Sequence, residues 1–504
     1  MKINELEKTV GLKFLDAKHY PDRVPFDPPE AYPELPAGET DSGNPIYAGV
    51  RDLFHELGMD ADNWGTAAWS PFREIVKPGM TVFIKPNTVR HHHTDGGDVL
   101  SVITHGSIIR PILDYVCKAL EGSGRIIIGD SQVVFGHFDE AYEHSRIGAL
   151  LDWYRKETDI PIECFDLRMN RGVRTYLYGR WGRVKVEQDP RGYQFVDLGE
   201  HSCFEGIDPD KLRIGISSYK EMRKYHAPGK HQYLFPQSVL ESDVIISIAK
   251  LKTHRRTAVT LAIKNFMGIP ALKDSLPHWI NGSPEEGGDQ YINPCLRKRI
   301  GTWMHDRVQT TPFIPVKFFW AATKKILWNS HKIFPFKDDI FEAMWYGNDT
   351  IWRTLFDLNR GIRYADKKGK LQDQPQRTFF GLIDGIIAGE RDGPVGVDPV
   401  HAGALLAGYN PVALDVVGAT IMGHDVSKIP MIRNPIDQRD KPLPMIHCGI
   451  AEIEIVDGTR RLNTEELARR HNLRFEPHPN WKGHVELPDS IASEPRGEEV
   501  VTVA

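Results

Sequence analysis

"SDVIISIAKLKTHRRTAVTLAIKNFMG" runs from Ser242 to Gly268. It opens as an apolar run of strand length and closes with the texture of a buried helix. Lys250, Lys252, His254, Arg255, Arg256 and Lys264 stand at or within the seam. The same alternation recurs along the chain. "TVFIK" (81–85) reads as a short strand, and "GSIIRPILDYVCKAL" as a helix beginning near Ser107 with Gly122 placed to end it. "GRIIIGDS" (124–131) is the next strand. "RTFFGLIDGI" (377–386) and "GALLAGY" (403–409) read as two more. "NPVALDVVGATIMG" then supplies a helix with Asn410 as N-cap, Pro411 at its first position and Gly423 past its end. Strands alternating with helices at this spacing predict an α/β fold with a mostly parallel sheet flanked by helices.

Five segments follow from the texture. Residues 1–75 are an extended arm and a helix, with Pro, Asp, Glu and Gly crowded into 20–45. Residues 76–275 are the first part of the α/β core, and 276–375 a helical, aromatic-rich insertion that reads as a lid. Residues 376–430 complete the core, and 431–504 form a C-terminal extension with a possible strand at 451–456.

Composition narrows the function. The 504 residues are 40% hydrophobic and 26% charged, with a formal net charge of -5. A general nucleic-acid binder would carry a basic balance, so nucleic acid is not an expected partner. The basic residues around 250–264 are a local patch on a mildly acidic chain, and a local patch points to a local anion. Cys117, Cys164, Cys203, Cys295 and Cys448 lie far apart with no CxxC pair. A cysteine-ligated iron–sulfur cluster is therefore not expected, and reduced thiols suit a cytoplasmic location. No apolar run approaches the ~20 residues of a membrane span.

In open α/β sheets ligands sit beyond the carboxyl ends of the strands. Lys85 and Asn87 follow the first strand. Asp130 and Ser131 end the second, and Lys250, Lys252 and His254 follow the third. With Thr253–Gly268 placed on a helix at about 100° per residue, Thr257, Thr260 and Lys264 share one narrow polar stripe. Such a helix start would cradle an anion. Lys85, Asn87, His105, Asp130, Ser131, Thr257, Thr260 and Asn265 are the expected anion-binding residues. His254, Lys264 and Lys252 are the expected catalytic ones. A lysine on an otherwise buried helix loses basicity, which suits a general base or a covalent attachment point. It equally suits neutralising Asp130 or Asp384.

Two stretches suggest a divalent metal: "HHHTDGGD" (91–98) with His105 beyond it, and Asp384 with Glu390, near Asp392. "KFFWAATKKILWNSHKIFPFK" (317–337) suits a peripheral membrane contact or a lid. On a helix, Phe318, Phe319, Trp320, Ile326 and Leu327 would take one side and Lys324 and Lys325 the other.

"VFIKPNTV", "THGSIIRPILDYV", "RIIIGDS", "SDVIISIAKLKTH…VTLAIKNFMG", "LIDGIIAGERDGP" and "GALLAGYNPVALDVVGATIMG" together resemble the family called domain of unknown function 362, in order over about residues 80–425. That resemblance implies no reaction. Some relatives carry ferredoxin-like cysteine clusters, which this chain lacks. There is also a likeness to the N-terminal domain of lactate racemase, in which a histidine after a strand precedes a lysine that attaches a nickel-pincer nucleotide. His254 and Lys264 stand at the same separation. The Ser-Gly-Gly before that lysine is replaced here by Leu261, Ala262 and Ile263, and no histidine follows "IIIGDSQ" directly, so only His105 or His137 could substitute for the second catalytic one. The likeness implies an active-site role for His254 and Lys264; the nickel-pincer cofactor is not carried over with it. The expectation is an enzyme acting on a small carboxylate or phosphate, by isomerisation, racemisation or elimination. The alternatives are a non-catalytic binding or membrane-peripheral protein and a metal-dependent enzyme.

Overall fold

The computed structural model describes residues 6–174, 181–329, 340–488 and 491. Its main sheet has eleven strands. In chain order the elements that build and flank it are β1 (Thr9–Phe14), α1 (Pro45–Glu56), β2 (Thr81–Pro86), α2 (Gly106–Leu120), β3 (Arg125–Asp130), β4 (Ile162–Asp166), β5 (Val244–His254), β6 (Ala258–Thr260) and α3 (Ala262–Asn265). Then come α4 (Leu296–Thr310), α5 (Ile314–Asn329), α6 (Ile351–Tyr364), β7 (Thr378–Asp392), β8 (Gly396–Val400), β9 (Ala404–Gly408), α7 (Pro411–Ile421), β10 (Glu454–Asp457) and β11 (Arg460–Leu462).

The strand order is β11-β10-β1-β9-β7-β5-β2-β3-β4, with β6 pairing β5 and β8 pairing β7. From β4 through β3, β2 and β5 to β7 the pairings are parallel. β9 and β1 then continue antiparallel, and β10 returns parallel to β1. The α/β fold and its parallel core are those expected from sequence.

The parallel strands are buried along their length and read accordingly as continuous apolar runs: Ile126, Ile127 and Ile128 in β3, Val244 to Ile248 in β5. Two apolar layers cover the faces. One packs Ile108, Ile112 and Val116 of α2 with Val50 and Phe54 of α1 onto Ile84, Ile128 and Ile246. The other packs Leu414 and Val417 of α7 with Leu355 of α6 against Ala249, Leu251 and Ile383. The expected caps hold. The Asn410 side chain accepts from Val412 and Ala413 at the start of α7, and Glu121 and Gly122 take left-handed conformations after α2.

Thr253–Gly268 is not one helix. β5 continues to His254, turns, and pairs back through β6 with Lys252 opposite Thr260, Thr253 opposite Val259 and His254 opposite Ala258. Only Ala262–Asn265 is α-helical, followed by a 3-10 turn at Phe266–Gly268. The threonines that seemed to make a helical stripe are β-branched residues of a hairpin, where branching at Cβ favours the strand. β7 also runs past its expected end to Asp392 and folds back as β8. The chain between them packs hard on β5: a Cβ on Gly393 would lie 1.8 Å from the Thr253 carbonyl oxygen. That contact, more than turn geometry, requires the glycine.

Among the described residues no helix is long and apolar enough to cross a membrane. The insertion holds α4, α5 and α6. Lys324 and Lys325 do not share a side of α5. Lys324 Nζ meets His305 Nδ1 of α4 at 2.9 Å and Trp320 packs on Trp303, while Phe319, Lys325 and Ile326 face outward and Phe318 lines a cavity beneath the two helices. Antiparallel packing of α4 on α5 decides this, because it turns a stripe of α5 inward whatever its polarity. Residues 330–337 of the aromatic stretch lie outside the described residues.

Candidate active site: a cationic cavity beyond the strand ends

The carboxyl ends of β2, β3 and β5 open onto a cavity of about 340 Å³. Its lining includes six cationic side chains (Lys85, Lys252, Arg255, Arg256, Lys264 and Lys273) against two carboxylates, Asp130 and Glu342. Period-two alternation of β5 explains part of this. Lys252 and His254 leave the same face of the strand, and the hairpin brings Thr260 of β6 beside Lys252.

The floor is a closed polar network. Lys85 Nζ stands 2.9 Å from Asp130 Oδ1. Asp130 Oδ2 accepts from the Thr88 backbone N–H and hydroxyl at 2.7 and 2.9 Å. Asn265 Oδ1 accepts from Lys85 and Asn87, and its Nδ2 donates to the Lys85 carbonyl and Ser247 Oγ. Ser131 Oγ donates to the Pro270 carbonyl. Lys273 Nζ donates to the carbonyls of Ser131 and Met267. The 3-10 turn presses on the ion pair, and a Cβ on Gly268 would lie 2.4 Å from Asp130 Oδ1 and 2.8 Å from Lys85 Nζ. Burial lowers the Lys85 pKa and Asp130 opposes it. Lys252 donates to the Val102 carbonyl and to Asn87 Oδ1; burial, then Lys250 and Lys264, depress it well below the usual lysine range.

Above this floor several polar groups have no partner among the described residues. Lys264 Nζ makes no hydrogen bond or ion pair. Arg255 Nε, Thr260 Oγ1 and Trp279 Nε1 are buried and unpartnered. Burial first, then Arg256 and Arg255, brings the Lys264 pKa down to about 7. His254 Nδ1 accepts from the Arg256 backbone N–H at 3.0 Å. Burial and the surrounding cations hold its pKa well below 6.5, so the ring is neutral and its proton sits on Nε2.

Lys85, Asn87, Asp130, Ser131, Lys252, His254, Thr260, Lys264 and Asn265 thus converge on one cavity. Other expected site residues lie elsewhere. His105 caps α2, accepting from the Ser107 backbone at Nδ1, and stacks on Tyr20 at 4.5 Å away from the cavity. Thr257 is not in the lining; its hydroxyl donates to the Val259 carbonyl because the expected helix is a hairpin. The cradle at a helix start is also absent. The first N–H groups of α3, at Ala262 and Ile263, are taken by the Asp415 carboxylate of α7 at 2.6 and 3.1 Å. Lys250 is sealed below the cavity with Asp384 (3.0 Å) and Tyr20.

Asp384 and Glu390 do not meet as a metal pair. Asp384 serves Lys250 and Tyr20, and Glu390 accepts from the Glu476 backbone N–H. Asp392 faces His478. Of the histidine run, His93 is held by the Val397 carbonyl and by the backbone N–H groups of Asp95 and Gly97. His91 joins His137 and Glu140 in the one group of candidate ligands, among the described residues, close enough to share an ion.

Reading the sequence missed Lys273 and the segment 214–216 as lining, while Arg255 and Arg256, expected in a cradle at a helix start, line the cavity from the turn of the hairpin instead. Leu276, His278, Trp279 and Glu342 all line the cavity. Arg256 Nε donates to the Glu342 carbonyl, tying the hairpin to the insertion. The K-x-K-x-H spacing of Lys250, Lys252 and His254 was the available signal, since period two continues the strand.

The arrangement defines an α/β chain with a cation-lined cavity at the ends of its parallel strands. Residues 207–420 match the model of the family described as Domain of unknown function (DUF362), which bears out the resemblance carried by the motifs. No curated protein matches. Among solved structures, a crystal structure of a protein from Thermotoga maritima, a structural-genomics target, is 12% identical with a TM-score of 0.27. The match covers 70% of this chain and 52% of that one, so the chain spans about half of that protein's length. At that score it carries no argument about fold or function. The likeness to lactate racemase finds no support in these comparisons.

Proposed function

We propose that the cavity is the active site of an enzyme acting on a small carboxylate or phosphate, with Lys264 as the group that takes or returns a proton. The observation that carries this is the Lys264 amine, without a partner among the described residues and brought to a pKa of about 7 inside a cavity that five other basic side chains line against two carboxylates. A base poised near neutral pH can both abstract and return a proton, which isomerisation, racemisation and elimination require. Arg255 and Thr260 offer vacant donors to the substrate's anionic group. His254 presents Nε2–H rather than a lone pair, so it acts as a hydrogen-bond donor to a developing oxyanion and not as the base. Lys252, already hydrogen-bonded to the Val102 carbonyl and Asn87 Oδ1, is a fixed donor of the floor and not the group that moves the proton. Leu276, His278, Trp279 and Glu342 line one side of the cavity, which supports a part for the insertion in keeping water from the site.

The test is turnover of carboxylate and phosphate substrates by wild type and Lys264→Met. The expected result is loss of activity with the fold intact by circular dichroism. Wild-type turnover in the variant overturns the role of Lys264.

A second reading is a peripheral contact with an anionic membrane. Its support is the exposure of Phe319 (58%) and Ile326 (72%) on α5 beside Phe313 (65%), with Lys325 among them. Flotation with vesicles of anionic lipid, lost in Phe313→Ser/Phe319→Ser/Ile326→Ser, supports it; no flotation of the wild type rejects it.

A further inference from the structure

The cavity has two chemistries. Its cations and amides come from Lys85 and Asn87 at the end of β2, Lys252 of β5, Arg255 and Arg256 of the hairpin turn, Lys264 and Asn265 of α3, and Lys273. An apolar part of the lining comes chiefly from three other segments: Val133, Val134 and Phe135 after β3, Ile214 and Ile216 before the insertion, and Leu276 with Trp279 at the insertion's start, where His278 and Glu342 add polar atoms. A site for a bare anion such as inorganic phosphate needs no such surface. At about 340 Å³ the space is also several times the volume of a three-carbon acid. Ile216 is shared with a second cavity of about 530 Å³, beneath α4 and α5, where Val308, Ile314, Phe318 and Ala321 contribute further apolar lining. Ile216 therefore stands between the two cavities, on the apolar side and away from the Lys85–Asp130 floor.

On this side of the cavity one donor is left unmet. Trp279 is 2% exposed, lines the cavity, and its Nε1–H has no partner among the described residues. A buried indole N–H ordinarily finds an acceptor. The vacant donor calls for an acceptor on the body of the ligand, apart from the anionic head that Arg255 and Thr260 are left to receive.

Resting on the reading of the cavity as an anion site, we propose that its ligand is amphipathic: a carboxylate or phosphate head on an aromatic or branched apolar body that carries one hydrogen-bond acceptor for Trp279. The site then discriminates against small anions by what the apolar lining adds. Burying a phenyl ring removes roughly 100 Å² of apolar surface from water, which at ~25 cal/mol per Å² corresponds to a tightening of about ten- to a hundredfold.

Calorimetric titration with inorganic phosphate, phenyl phosphate and 1-naphthyl phosphate tests this on wild type, Ile216→Asn and Arg255→Gln. The expected result is affinity rising by at least tenfold from phosphate to an aryl phosphate. Ile216→Asn should lose most of that increment while keeping the wild-type affinity for inorganic phosphate, and Arg255→Gln should weaken all three probes. Equal affinity of wild type for the three probes overturns the amphipathic ligand while leaving the anion site standing. So does an Ile216→Asn loss that is the same for phosphate and aryl phosphate. Absence of binding by any probe overturns the anion reading itself, and the amphipathic ligand with it.

Discussion

The Arg256 backbone N–H donates to Nδ1 of His254 at 3.0 Å, two residues back along the chain. This bond decides what the imidazole can do. With Nδ1 engaged as acceptor and the ring held neutral by burial and nearby cations, Nε2 carries the proton. Nitrogen-15 NMR should show the Nε2–H tautomer from pH 6.5 to 9, with any protonation step displaced to lower pH than in a free imidazole. His254→Gln retains an N–H donor and should keep more activity than His254→Ala, which should lose about 10²–10³ in kcat as for a removed oxyanion donor. Equal losses in the two variants would argue against a donor role.

Lys264 ties function to instability. Burial lowers its pKa from 10.5 to about 7 in the folded chain. Between those values the unfolded chain holds the extra proton, so this residue makes stability rise with pH from about 7 to about 10. Lys264→Met removes the cost of burying that charge. The variant should melt about 1 °C higher than wild type at pH 6 for each kcal/mol recovered in a chain of this size, and the difference should shrink toward pH 10. If activity needs the neutral amine, kcat should rise with pH through about 7 in the wild type. A thermal-melting series on both proteins checks the first, and a pH–rate profile the second.

Gly268 permits the Lys85–Asp130 pair to sit under the turn, since a Cβ there would stand 2.4 Å from Asp130 Oδ1. Gly268→Ala should cost about 1–3 kcal/mol, as other overpacked sites do. Asp130→Asn should cost more, about 3–5 kcal/mol, because it leaves the Lys85 ammonium buried and uncompensated. Replacing both partners, as Lys85→Met/Asp130→Asn, should restore part of that loss. Urea titrations at pH 7 give all three values.

The parallel core was legible because buried strands read as apolar runs and because Asn410, Pro411 and Gly122 mark helix ends by backbone chemistry alone. The convergence of Lys85, Asp130, Lys252, His254 and Lys264 followed from where strands end in such sheets. The hairpin at 254–260 was not legible as such. Thr253, Thr257, Thr260 and Lys264 happen to fit a helical period, while the strand signal, Lys250-Lys252-His254, is only three residues long. His105 and Asp384 were misplaced because sequence cannot tell a buried capping or ion-paired group from one facing a cavity; Ser107, Tyr20 and Lys250 settle them in three dimensions. The walls supplied by Ile216, Trp279 and Glu342 depend on how distant segments fold over the sheet.

Asp415 is expected to be a positioning residue for Lys264. Its carboxylate accepts from the backbone N–H groups of Ala262 and Ile263 at 2.6 and 3.1 Å, and α3, which these open, carries Lys264 one residue later. Asp415 itself lies in α7 among apolar neighbours and is not in the cavity lining. Asp415→Ala would leave two buried N–H groups without acceptors, each costing about 1–3 kcal/mol. A destabilised variant alone would show only a structural role, so Asp415→Asn is the informative change. Its side-chain oxygen can still accept one of the two bonds, which should keep the protein folded while loosening the first turn of α3. The expected result is a lower kcat with little change in KM, and a shift of the pH–rate profile away from about 7 as the amine gains water. An unchanged profile at wild-type kcat would show that α3 holds Lys264 in place without the second hydrogen bond.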